Sequence, residues 1–247
     1  MINKLKDFYI KYSPMFTERH TKNGVTFLFS KYVSDEFSNI AIINKISDTA
    51  IADLEFKQRK LKSTYYSFEK LNDLNEIYTD DFLYYQNISL LFKKFSKFKS
   101  KEIELVEVNS SKLINEYMII NDLCYRAESF DNPYSNLDNF GYAKTVIDYQ
   151  KNETESKTLI YIIKFKGTNV GCINLTINNP LCYVSGLAIL KEYRRTKVFS
   201  ALINILELLI KHDVQDIFCV TELGDYPDKL YKKIGFKSAG IAHAYKK

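Results

Sequence analysis

Three cations, Arg194, Arg195 and Lys197, stand where an apolar run, LCYVSGLAIL (181–190), gives way to a long helical pattern. A helix start offers unpaired N–H groups and a favourable dipole to an anion, and side-chain cations strengthen both effects. That combination suits a phosphate. Further along, Tyr231 opens a Tyr-x-x-x-Gly-Phe stretch ending at Phe236. Cys124, Cys172, Cys182 and Cys219 show no C-x-x-C spacing, and His20, His212 and His243 are isolated. Neither a zinc site nor a disulfide framework is expected, and no metal. Cys124 reads as a small buried apolar residue rather than a nucleophile; His212 and His243 read as surface residues.

The elements that must position these residues follow from periodicity. LIYIIKF and VGCINLTI read as two strands joined by Lys166-Gly167-Thr168-Asn169, a hairpin turn signal, and 181–190 as a long buried strand. The helix is expected over 197–214, with Ser200, Asn204, Glu207 and Lys211 forming one solvated stripe. A strand (217–221), a helix (DYPDKLYKK) and a closing strand from about 237 complete this half. It opens with a strand at 103–108 and helices at 111–126 and 136–150. Earlier, strands are expected at 25–32 and 39–46, a helix at 49–62 capped by Asp48, a short strand (TYYSF), a helix (LNDLNEIY) and a strand (DDFLYYQN).

With 247 residues, 46% of them hydrophobic, the chain can bury a full core. Its net charge of +5 does not announce a nucleic-acid partner. The run KKFSKFKSK (93–101), with Phe92, Phe95 and Phe98 three apart, reads as the apolar edge of a helix, RNA contact being the alternative. It also marks the expected boundary between a domain at 1–100 and one at 101–247. No run approaches a membrane span or a signal peptide, so a cytoplasmic protein without a membrane partner is expected. The 19 Tyr and 17 Phe leave the oligomeric state open.

The order of elements after residue 101, together with SGLAILKEYRRTKVFSALINILELLIK (185–211) and LYKKIGF (230–236), resembles a GNAT N-acetyltransferase. The resemblance implies an α+β fold of the α/β three-layer type, a mixed, mostly antiparallel sheet flanked by helices, here preceded by an N-terminal α/β lobe. It also implies acetyl-CoA as cosubstrate and an amine-bearing acceptor. Leu187, Ala188 and Ile189 would then bond the pantetheine arm through main-chain groups. Arg194, Arg195, Thr196, Lys197, Val198, Phe199 and Ser200 would hold the pyrophosphate. The family pattern is Arg/Gln-x-x-Gly-x-Gly/Ala. Arg194 fits its first position, whereas Lys197 and Phe199 stand where small residues belong. Lysine there either binds phosphate through its ammonium or blocks the groove.

By the same resemblance Tyr231 protonates the leaving thiolate; a core-closing tyrosine is the structural alternative. Gly224 replaces a frequent family asparagine, and Tyr183 stands near a position that is acidic in some members. No base is assignable from the sequence; Glu222 could serve directly or through water, a solvated loop end being the alternative. Pro133, Tyr134 and Tyr142 are placed to line an acceptor pocket. The order of elements in 25–87 echoes a degenerate, partial GNAT-like lobe, with an unrelated cap as the alternative. Two functional classes stand: a direct-transfer N-acetyltransferase, and a noncatalytic acyl-CoA-binding or regulatory module on the same scaffold.

Overall fold

The computed structural model describes residues 1–35, 37–126 and 138–246, with the backbone alone for 195–199. In chain order the elements are α1 (Ile2–Tyr12), β1 (Glu18–Lys22), β2 (Val25–Phe29), β3 (Asn39–Ile42), α2 (Thr49–Arg59), β4 (Tyr65–Ser67), β5 (Asn75–Tyr85), α3 (Ile88–Phe95), β6 (Ile103–Glu107), α4 (Ser111–Tyr125), α5 (Asn139–Asn152), β7 (Lys157–Phe165), β8 (Thr168–Asn178), β9 (Leu181–Ile189), α6 (Arg194–Lys211), β10 (Asp216–Glu222), α7 (Tyr226–Ile234) and β11 (Lys237–Lys246). This is the mixed α/β class, with mostly antiparallel pairing and flanking helices. Two compact units divide the chain: Met1–Tyr84 with Phe218–Lys247, and Tyr85–Ile217.

In the unit Tyr85–Ile217 the strand order is β9-β8-β7-β6. Lys166 (φ 50°) and Gly167 (φ 81°) make the two-residue turn between β7 and β8, with Phe165 opposite Thr168. Positive φ at both positions matches strand twist, which is why a glycine stands there. Thr158 to Ile163 are buried without interruption, so both faces of β7 are covered. Tyr117, Ile120 and Cys124 of α4 and Ala143, Val146 and Ile147 of α5 pack with Ile160, Ile162, Cys172 and Ala188 on one face. Helix α6 lies along β6 and β9.

The other unit orders its strands β1-β2-β3-β4-β11-β5-β10. β3 and β4 run parallel and are joined by α2, whose Ala52 and Phe56 pack with Phe27, Phe29, Ala41, Tyr65 and Tyr245. Neighbouring residues of a strand face opposite ways, so Tyr66 turns instead toward α1, where Tyr9 stacks on it and packs edge-on against Phe82. β11 pairs with β4 on one side and β5 on the other.

Several expectations are corrected. LNDLNEIY is not a helix: Asn75 already pairs with Lys246, and β5 runs on from there. Cross-strand pairing outweighs the helical spacing of Leu71 and Leu74. Helix α6 begins at Arg194 and ends at Lys211, earlier than expected at both ends. Its polar stripe is solvated in part: Lys211 is exposed, whereas Asn204 donates to the carbonyls of Ser100 and Ile103 and Glu207 pairs with Lys99 at 2.7 Å. Phe92 and Phe95 lie on α3, but the helix tightens to a 3-10 turn at Ser96–Phe98. Asp48 accepts from the N–H groups of Asn44 and Lys45 and gives no side-chain cap to α2. α1 and β1 are additions to the sequence reading. The lysine-rich stretch 93–101 falls inside the unit Tyr85–Ile217.

Candidate active site

The unit Tyr85–Ile217 carries the expected cofactor strand and helix start. β9 is not a regular strand. Cys172 lies opposite Ala188 and Asn174 opposite Ser185, so Gly186 and Leu187 together oppose the single residue Ile173. That is a β-bulge. Gly186 has φ +62°, and a Cβ there would sit 2.5 Å from the Asn174 amide nitrogen and 3.2 Å from the Tyr142 hydroxyl. Only glycine fits. Gly186 and Leu187 are half-exposed within an otherwise buried strand. Ala188 and Ile189 pair with Cys172 and Gly171, and the Ile189 carbonyl accepts from the Arg194 Nε at 2.8 Å.

After β9 a 3-10 turn, Lys191–Tyr193, leads into α6, and the Arg194 N–H goes to the Lys191 carbonyl. No side chain caps α6 at Tyr193. The Arg194 guanidinium is already occupied: beside Ile189 it donates through Nη2 to the Cys124 carbonyl at 2.7 Å. Arg195, Thr196, Lys197, Val198 and Phe199 form the first turn of α6, and their side chains lie outside the described residues. Ser200 is half-buried one turn further on. Pro133 and Tyr134 also lie outside the described residues.

A polar cluster that sequence reasoning missed sits on the α4/α5 face of the bulge. The Tyr117 hydroxyl donates to Asn174 Oδ1 at 2.9 Å, and Asn174 Nδ2 donates to the Tyr142 hydroxyl at 3.4 Å. Asn121 donates to the Asn139 carbonyl and accepts from the Cys172 thiol at 3.7 Å. Burial pushes the Tyr142 phenol up to about 12 and that of Tyr117 well above its ordinary value, so both stay protonated. The available signal was Asn174 and Ser185, polar residues inside apolar strands. Cys124 is buried as expected, its thiol pushed up to about 12 chiefly by desolvation.

Tyr231 belongs to the other unit, on α7. Asp225 caps that helix through the Asp228 N–H, and Gly235 (φ 116°) ends it by donating to the Tyr231 and Lys232 carbonyls. Tyr231 is buried, its ring 5.0 Å from that of Phe236. Burial, with the Cys219 thiol nearby, raises its phenol well above 10. Glu222 ends β10, half-exposed. Its charge and that of Asp225 add to burial in lifting Asp80 up to about 7, against the Tyr66 hydroxyl that donates to Asp80 at 2.6 Å. Asp225 itself is raised to about 6, mainly by burial. Gly224 takes a turn conformation (φ 83°), its N–H on Asp228. Tyr183 is buried on β9. His243 is not a loose surface group: it bonds Glu76 at 3.1 Å across β11 and β5. His212 is partly buried, which lowers its pKa. Among the described residues no group of His, Cys, Asp and Glu could hold a metal ion, and no helix is long and apolar enough to cross a membrane.

The unit thus sets a bulged strand ahead of a helix start, beside a two-helix layer. Residues 122–236 match the model of the acetyltransferase (GNAT) family, and the chain carries a GNAT domain there. No curated protein matches the sequence. Among solved structures, a functionally unknown conserved protein from Staphylococcus epidermidis is similar over 97% of this chain and 95% of its own, at 13% identity and TM-score 0.71. A GCN5-related N-acetyltransferase from Kribbella flavida is similar at 11% identity, covering 98% and 94%, with TM-score 0.63. A tandem GNAT protein from the clavulanic acid biosynthesis pathway is similar at 10% identity, covering 92% and 81%, with TM-score 0.58. These likenesses concern the fold, and the tandem arrangement accords with a second GNAT-like lobe in the N-terminal half.

Proposed function

We propose that the protein is an N-acetyltransferase that moves an acetyl group from acetyl-CoA to the primary amine of a small molecule or protein in the cytoplasm. The observation that carries this reading is the Gly186–Leu187 bulge in the strand that leads to the uncapped start of α6, inside the GNAT-matching segment. Bound acetyl-CoA supplies an activated thioester. Main-chain groups from Leu187 to Ile189 orient it, and the first turn of α6, Arg194 to Ser200, holds its pyrophosphate. Residues 101–247 form the catalytic domain and 1–100 the GNAT-like lobe.

The chain's own groups move the protons. The amine nitrogen forms its bond to the acetyl carbon as the carbon–sulfur bond breaks, and Tyr231 gives its proton to the leaving sulfur. A carboxylate takes the proton that the amine loses. Glu222, at the end of β10, is the candidate, acting directly or through water. The test is calorimetric titration with acetyl-CoA. Binding near about 1–100 μM that weakens with added salt supports the reading. No heat at millimolar cosubstrate overturns it.

The second reading, a noncatalytic acyl-CoA-binding or regulatory module, is favoured by Lys197 and Phe199 in place of small residues. Lys197→Gly discriminates. Tighter acetyl-CoA binding marks a groove blocked by lysine, and weaker binding marks a lysine recruited to the phosphate.

A further inference from the structure

Asn174 occupies the point at which the β8–β9 ladder is interrupted, and three elements meet on its amide. Tyr117 reaches it from α4 and Tyr142 from α5, while its nitrogen fills the volume that a side chain at position 186 would need. On β8, Cys172 and Asn174 are two residues apart and share a face. Their partners Ala188 and Ser185 are three apart. The extra residue is therefore absorbed wholly at Gly186–Leu187, beside the Asn174 amide. Loss of the bulge would shift 181–185 by one position and turn Ser185 and Tyr183 to the opposite face.

We propose that Asn174, held by the Tyr117 and Tyr142 hydroxyls, is the positioning residue that fixes the β9 bulge and thereby the direction of the Leu187 main chain. It acts through that main chain and does not itself touch the reacting atoms. The extra residue of a bulge is left unpaired in the ladder, so contacts outside the ladder add to what fixes its conformation. A buried amide bonded to two phenols, each fixed on a different helix, does this with little freedom. Removing the amide leaves both hydroxyls without that partner, so that the strand can relax toward regular pairing.

This inference rests on the acetyl-CoA reading for its second readout only. The experiment compares wild type with Asn174→Leu, which keeps the branched skeleton and removes the amide, and with Tyr117→Phe/Tyr142→Phe, which removes only two hydroxyls. Amide hydrogen exchange over 183–188 is measured without ligand, and acetyl-CoA affinity by calorimetry. Ile160→Val, a core substitution on the same face, is the control.

Asn174→Leu is expected to speed exchange over 183–188 by about tenfold relative to β7, and to raise the acetyl-CoA Kd by about tenfold or more. The double tyrosine variant moves both in the same direction by less, and Ile160→Val moves neither. Unchanged exchange and affinity in a folded Asn174→Leu protein overturn the proposal, as does an equal effect of Ile160→Val. If Asn174→Leu does not fold, the double tyrosine variant decides on the same readouts. If wild type does not bind acetyl-CoA, the functional reading falls and exchange alone decides the role of Asn174.

Discussion

Arg194 Nη2 donates to the carbonyl of Cys124, 70 residues earlier in the chain, at 2.7 Å, while its Nε holds the Ile189 carbonyl at 2.8 Å. One guanidinium thus closes the end of α4 against the end of the bulged strand. The residue that sequence reading assigned to a phosphate has its side chain bound to protein carbonyls instead.

Arg194→Ala is accordingly expected to lower stability by about 2 kcal/mol or more, since it strips charge-assisted bonds from two carbonyls. Arg194→Lys recovers only a part, because an ammonium lacks the planar fork. Urea unfolding midpoints check both. Equal stability of the lysine variant and wild type would refute the two-carbonyl role.

Tyr231→Phe removes only a hydroxyl from a buried ring. Turnover with a saturating amine is expected to fall by about 10²-fold, with acetyl-CoA affinity unchanged and stability within about 1 kcal/mol of wild type. Because burial holds the Tyr231 phenol well above 10, wild-type turnover shows no loss of this proton between pH 7 and about 9. Steady-state kinetics of the variant decides it: undiminished turnover removes Tyr231 from the chemistry.

Asp80 gives stability a pH dependence of definite sign. In the fold its carboxyl holds a proton up to about pH 7, whereas an unfolded chain releases it near about 3.9. The proton-linked stabilisation is complete below the unfolded value and is lost as pH rises through 7. Asp80→Asn removes that loss. Its Tm should gain on wild type steadily from pH 5 to pH 8, and a constant difference across that range would show that Asp80 ionises normally.

Gly171 pairs with Ile189, and a Cβ there would lie 2.3 Å from the Ala188 carbonyl oxygen and 2.6 Å from Ile189 Cδ1. The backbone atom cannot step aside. Gly171→Ala should cost about 1–3 kcal/mol in chemical denaturation, whereas the same change at Gly224, where a Cβ meets nothing within 4 Å, brings backbone strain without a clash.

The C-terminal half was legible because its signals are local. Lys166-Gly167 specifies a turn through its own backbone preferences, and Leu202, Leu206 and Leu209 repeat on the buried side of α6. What stayed hidden depends on distant partners. β5 begins in a stretch with helix-like spacing and becomes a strand because Asn75 to Tyr84 pair with residues of β11. β1, ERHTK, has no apolar alternation to announce it, its one local cue being the Asn23-Gly24 turn. At the site, the helix start and Tyr231 were visible as motifs. The bulge was not, since its register needs β8, and Asn174 acquires meaning only when Tyr117 and Tyr142 are brought to it.

The place of β11 also sets a timetable for synthesis. β4 and β5 each pair with it, so neither can complete its hydrogen bonding until residues 237–246 have been made. At ribosomal speeds of roughly 5–20 residues per second, the edges of Tyr65–Ser67 and Asn75–Tyr85 wait on the order of ten to thirty seconds. The half of the chain that is translated first is the last to finish folding. During that interval it presents open strand edges to which another nascent copy can add a strand.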